Sequence, residues 1–168
     1  TGGTVINSGR LELANTTGSG TGTGPVDILS GGILQGTGSV SGTATNQNGG
    51  ILSPGLTDTA GGTLTLANLK WHGGGILHCK VADITTGGAG AGIDYNRLIV
   101  SSALTAVPAG SDLVIRMDSL DQSLPFETNR NYNLKVITYG SAPGLDMADV
   151  TLDTTDFLVN GTWALTNL

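Results

Sequence analysis

The sequence predicts an all-β protein: a glycine-rich β-solenoid over residues 1–92, followed by a β-rich section over 93–168 that continues or caps it. Three observations carry this reading. A five-residue unit recurs almost unchanged at Ser30-Gly31-Gly32-Ile33-Leu34, Asn48-Gly49-Gly50-Ile51-Leu52 and Gly73-Gly74-Gly75-Ile76-Leu77, with a fainter copy at Asn7-Ser8-Gly9-Arg10-Leu11. The aliphatic positions Leu11, Ile33, Ile51 and Ile76 return roughly every 20 residues, about one coil of a solenoid. Composition is skewed along the chain as well. Of 28 glycines, 24 precede residue 93, whereas only Arg10, Glu12, Asp27 and Asp58 carry charge before Lys70. These shifts place a boundary inside Gly87-Gly88-Ala89-Gly90-Ala91-Gly92. Each unit is a glycine turn and a short apolar strand, and none buries its apolar face alone, so successive units must stack on one core.

The strands follow in order from alternation. Apolar residues at every second position mark Val5–Leu13, Val26–Leu29, Leu64–Leu69, Ile76–Val81, Leu98–Val100, Leu113–Met117, Leu134–Ile137 and Phe157–Val159 as half-buried strands. No window sustains helical spacing, and glycine interrupts every stretch long enough for a helix. Turns are expected at Ser8-Gly9, Asn48-Gly49, Ser53-Pro54-Gly55, Pro108-Ala109-Gly110, Pro143-Gly144 and Asn160-Gly161. The glycine-rich stretch 18–24 reads as a loop or a wide corner, where glycine leaves room that a Cβ would fill.

Charge sets the register of three strands. Facing Leu77, Cys79 and Val81 inward keeps His78 and Lys80 in water; the same logic buries Leu113, Ile115 and Met117 and exposes Arg116. In Tyr132–Ile137 it buries Leu134 and Val136 and exposes Lys135. A one-residue slip would bury each cation instead.

The run Gly31-Gly32-Ile33-Leu34-Gln35-Gly36-Thr37-Gly38-Ser39-Val40 resembles the autotransporter-associated β-strand repeat. So do Gly49-Gly50-Ile51-Leu52-Ser53-Pro54-Gly55, Gly61-Gly62-Thr63-Leu64-Thr65-Leu66 and the later Ile93-Asp94-Tyr95-Asn96-Arg97-Leu98-Ile99-Val100. The resemblance covers residues 2–117 closely and the remainder loosely. It implies a right-handed parallel β-helix of a large secreted bacterial surface protein. The opening Thr1-Gly2-Gly3-Thr4 reads as mid-repeat, as expected of a processed chain or a piece of a longer one.

Composition narrows the partners. A net charge of −6 and seven scattered Lys and Arg make no basic stripe, so no nucleic-acid partner is expected. No apolar run approaches the roughly 18 residues of a membrane span. One cysteine excludes an intrachain disulfide framework.

Candidate chemistry is sparse. His78 and Cys79 are neighbours on a strand and point to opposite faces, so they serve neither one metal nor one nucleophile pair. Cys79 reads as a small core residue, His78 as a surface one, and His72 with His78 makes an incomplete zinc site. Asp118, Asp121, Asp153 and Asp156 read as turn residues that cap their own backbone, with Asp146 and Asp149 nearby, rather than as a catalytic or calcium-binding cluster. Asn15-Thr16-Thr17 and Asn160-Gly161-Thr162 match the glycosylation acceptor pattern. No catalytic residue, cofactor site or metal site is therefore assigned.

The expected function is that of a non-catalytic structural protein, secreted or held on a bacterial cell surface, as a stalk or the subunit of a self-associating filament. An adhesive or carbohydrate-binding module is the alternative, with surface polysaccharide as partner and Trp71 as the sole aromatic platform in the repeat block. A polysaccharide-cleaving enzyme is the third reading. Self-association is expected through Thr4–Leu13 at one end and Thr162–Leu168 at the other, both read as unpaired strands.

Overall fold

The computed structural model describes residues 2–56, 61–82, 90–108, 111–120, 132–157 and 162–166. Its secondary structure is β apart from one short 3-10 turn, Met147–Asp149. The strands are β1 (Thr4–Ile6), β2 (Gly9–Leu13), β3 (Val26–Ile28), β4 (Gly32–Gly36), β5 (Ser39–Asn46), β6 (Ile51–Pro54), β7 (Thr63–His72), β8 (Ile76–Val81), β9 (Arg97–Val107), β10 (Leu113–Ser119), β11 (Ile137–Ser141) and β12 (Val150–Asp156). They form two six-stranded sheets, one of the odd strands in the order β1-β3-β5-β7-β9-β11 and one of the even strands, β2 to β12. All ten strand pairings are parallel. The chain thus visits the two sheets alternately, and each visit adds one strand beside the last.

Stacking explains the repeat. Leu11, Leu34, Leu52, Leu77, Ile115 and Leu152 are successive partners across the even sheet and form one internal row. In the odd sheet Val26, Ala44, Leu69 and Leu104 do the same. Side chains from both sheets join one apolar core. The pairing of Leu11 with Leu34, and of Arg10 with Ile33, makes the first step one residue longer than the spacing from Leu11 to Ile33. Turns stack like the strands. Gly31, Gly49 and Gly74 have φ of 83°, 73° and 75°, values that side chains rarely adopt. Their amides form a ladder: Gly31 N donates to Gly49 O (3.1 Å), Gly49 N to Gly74 O (2.9 Å) and Gly74 N to Asp112 O (2.7 Å).

Several local expectations change. Val5–Leu13 is two strands, because Asn7 and Ser8 hand the chain from β1 to β2; Val5 is exposed and Ile6 buried. Ser53 and Pro54 belong to β6, with Gly55 bridging Gly36 just beyond it. Stretch 18–24 is an ordered corner, where Asn15 Oδ1 accepts from Ser39 N (3.0 Å) and Gly20 N donates to Ser39 O (2.9 Å). Residues 132–136 precede β11 without forming a strand, although Val136 is buried and Lys135 exposed as its pattern requires. Residues 162–166 are not a strand either. Trp163 and Leu165 pack against the core, and the Trp163 ring meets Phe157 edge-on at 4.9 Å. The strand end at 158–159, the turn residues 109–110 and most of the glycine boundary (83–89) lie outside the described residues. Strands β9 to β12, which follow that boundary, extend the same two sheets. Among the described residues no helix is long and apolar enough to cross a membrane.

Candidate functional site

The charged residues picked out in sequence meet on the outer face of the even sheet. β8, β10 and β12 are neighbours there, and their registers set His78 beside Arg116 and Arg116 beside Asp153. One step along, Lys80 lies beside Asp118 and Asp118 beside Asp156. His78 Nε2 is 3.4 Å from Asp118 Oδ2, and Arg116 Nε donates to Asp153 Oδ2 at 3.1 Å. These are half-exposed cross-strand pairs, which typically contribute a few tenths to one kcal/mol each. They neutralise one another across three strands.

The turn reading of the carboxylates holds in part. Asp153 Oδ1 accepts from Thr155 N (3.1 Å) and Thr155 Oγ1 (2.7 Å), the local bonding expected of a turn, yet it does so inside β12. Those bonds, with Arg116, hold its carboxyl below the usual range. Asp146 caps the 3-10 turn, accepting from Ala148 N at 3.0 Å. Asp118 is a strand residue paired with His78 rather than a turn residue, and Asp121 lies outside the described residues. Among the described residues no three His, Cys, Asp or Glu side chains converge as a metal site would require.

Cys79 is fully buried, and loss of water around it pushes its thiol up to about 12, so the reactive thiolate is suppressed at neutral pH. Trp71 is also internal, 2% exposed, in the row Ile28, Asn46, Trp71 and Ala106 of the odd sheet. Its Nε1 donates to Gly75 O at 2.9 Å, so its ring holds a turn and presents no platform to a sugar. At the first glycosylation pattern, Asn15 Nδ2 donates to Thr17 O, Gly18 O and Ser39 Oγ, and the nitrogen a glycan needs is occupied. The second pattern falls mostly outside the described residues.

Lys80 departs from its expected exposure. It sits on the outer face, as the alternation requires, but is 3% exposed. The cause is distant in sequence. Tyr95 returns antiparallel to Val81, Asn96 N donates to Lys80 O (2.9 Å), and Asn96 Oδ1 accepts from Lys80 N (2.7 Å). Asn96 Nδ2 also donates to Pro54 O, so one buried amide ties β6 to β8.

Burial disfavours the charged form of His78 and lowers its pKa from 6.5, against the opposing pull of Asp118. The unfolded chain therefore takes up a proton first as pH falls, and stability drops from about pH 6.5 down to the folded-state pKa, then levels. His78→Gln is expected to remove this slope, and Asp118→Asn to lower the His78 pKa further. Proton NMR titration of the His78 ring with urea unfolding between about pH 8 and pH 5 checks both. A His78 pKa raised by Asp118→Asn would contradict the arrangement.

Two cavities accompany these features. One of about 400 Å³ lies between the sheets at their last strands, walled by Met117, Tyr139, Leu152, Trp163 and neighbours. The other, about 190 Å³, opens on the outer face of the even sheet. No family model matches the chain, and no curated protein or solved structure matches it significantly.

Proposed function

We propose that the chain is a right-handed parallel β-helix serving as a non-catalytic structural protein of a bacterial cell exterior, as a stalk segment or the subunit of a self-associating fibre. The resemblance to autotransporter-associated repeats leads to the surface of the cell, by secretion. The observation that carries the reading is the unbroken internal row from Leu11 to Leu152, in which every layer presents the next with the same apolar template. Right-handedness follows from the strong preference of parallel crossovers for that hand.

Other features support a scaffold over an enzyme or an adhesin. The carboxylates of β10 and β12 are engaged by His78, Arg116 and Thr155, which leaves them poorly suited to act across a sugar. Trp71, the aromatic on which a sugar-stacking surface in the repeat block depended, is internal. Between fibre and stalk, charge favours the stalk. Glu12 of β2 and Asp153 of β12 occupy one row, so a second copy stacked in continued register would set these carboxylates side by side. The packing of Trp163 and Leu165 onto the core also covers the last layer.

Sedimentation velocity over a wide concentration range, run beside a turnover assay on acidic and neutral polysaccharides, tests the proposal. The expected result is no turnover, with a stalk staying monomeric and a fibre gaining mass with concentration. Polysaccharide cleavage that Asp118→Asn abolishes would overturn it.

A further inference from the structure

We propose that the outer cavity of the even sheet is a binding site for a carboxylate-bearing ligand, the size of one acidic sugar unit. The cavity is lined by Arg10, Ile33, Gln35, Ile51, Ser53, His78 and Lys80, from β2, β4, β6 and β8. The outer face of a sheet normally gives its polar side chains to bulk water. Here Gln35, Ser53 and Lys80 are only 3%, 4% and 3% exposed. Withdrawing such groups from water is costly unless something replaces the lost hydrogen bonds.

The balance of donors selects the ligand. Arg10 and Lys80 are two of only seven Lys and Arg in a chain of net charge −6, and they face the same cavity with His78. The nearest acids are turned aside. Glu12 Oε2 accepts from Gln35 Nε2 at 2.7 Å, and Asp118 Oδ2 lies against His78 Nε2. Gln35 Nε2 is further fixed by Leu56 O at 3.0 Å. Arg10 makes no hydrogen bond or ion pair among the described residues, so its planar fork is available for a carboxylate. Ser53 Oγ offers a donor or an acceptor to a hydroxyl. Ile33 and Ile51, adjacent in one row, supply an apolar floor for the face of a ring. Arginine, a buried lysine and a hydroxyl over two isoleucines suit a uronate better than a neutral sugar.

The test is NMR titration of the whole chain with sodium glucuronate, glucose, acetate and inorganic phosphate, read at the Ile33 and Ile51 methyls and the His78 ring. Saturable shifts with glucuronate, weaker ones with acetate and none with glucose are expected. Arg10→Ala, an exposed change that leaves the fold intact, is expected to weaken glucuronate binding about tenfold, as loss of a charge-assisted hydrogen bond requires. Ser53→Ala is expected to weaken glucuronate and leave acetate unchanged. Equal shifts with glucose, tighter binding of phosphate than of either carboxylate, or an Arg10→Ala protein that binds as the parent does would each overturn the assignment.

Discussion

Leu52→Ala is expected to destabilise the protein by about 3 to 5 kcal/mol, the range for a large side chain removed from a site that cannot collapse. Leu52 is fully buried in the internal row, with Leu34 on one side and Leu77 on the other. Both neighbours are held by sheet hydrogen bonds, so neither backbone can move in to fill the void. The residue before it is the control. Ile51 points to the outer face and is half-buried, and Ile51→Ala is expected to cost about 1 kcal/mol, in proportion to the smaller area withdrawn from water. Urea midpoints at unchanged slope measure both. Equal losses would mean that the two faces of β6 are not distinguished.

Gly42→Ala is expected to cost about 3 kcal/mol although it adds a single methyl group. Gly2, Gly24 and Gly42 stack where successive layers of the odd sheet turn inward. A Cβ on Gly42 would be driven into the carbonyl oxygen of Gly24, and one on Gly24 into that of Gly2. Backbone atoms fixed in a stack cannot give way as a side-chain tip can. Gly2→Ala meets open space and is expected to be neutral within about 0.5 kcal/mol. Thermal unfolding of the three variants side by side measures the contrast. A Gly42→Ala protein as stable as Gly2→Ala would show that these layers do not approach so closely.

Much of the layering was legible because glycine and aliphatic residues repeat together. The Gly-Gly-Ile-Leu units align in the structure as they align on paper, with Leu34, Leu52 and Leu77 partnered in order. β5 was hidden for a local reason. Its register shifts between Val40 and Thr43, and its inner position 46 is an asparagine, which breaks the apolar alternation. β12 was hidden by Asp153-Thr154-Thr155-Asp156, whose turn-like bonding occurs within an extended strand. Val5–Leu13 misled because the apolar parity changes between Ile6 and Leu11, and that change is itself the mark of the turn. Lys80 is buried by Tyr95 and Asn96, a contact that no local pattern announces.

The outer cavity had a signal that sequence reading passed over. Glu12, Gln35, Ser53 and His78 each follow the last leucine of a repeat unit. Stacking the four copies sets these residues along one face, and the cavity forms among them. What the sequence did not carry is the burial of Gln35, Ser53 and Lys80, which depends on segments that return over the sheet.

The parallel register of the repeat units is the claim from which everything else descends, and a disulfide tests it most directly. Ile33 and Ile51 are direct partners on the outer face, on strands a little under 5 Å apart, within the Cα separation a disulfide spans. In a Cys79→Ala background, Ile33→Cys with Ile51→Cys is expected to close an intramolecular bond on mild oxidation. Ile33→Cys with Ile76→Cys, two strands apart, is expected to stay open. Closure of the second pair in preference to the first would contradict the stacked parallel order.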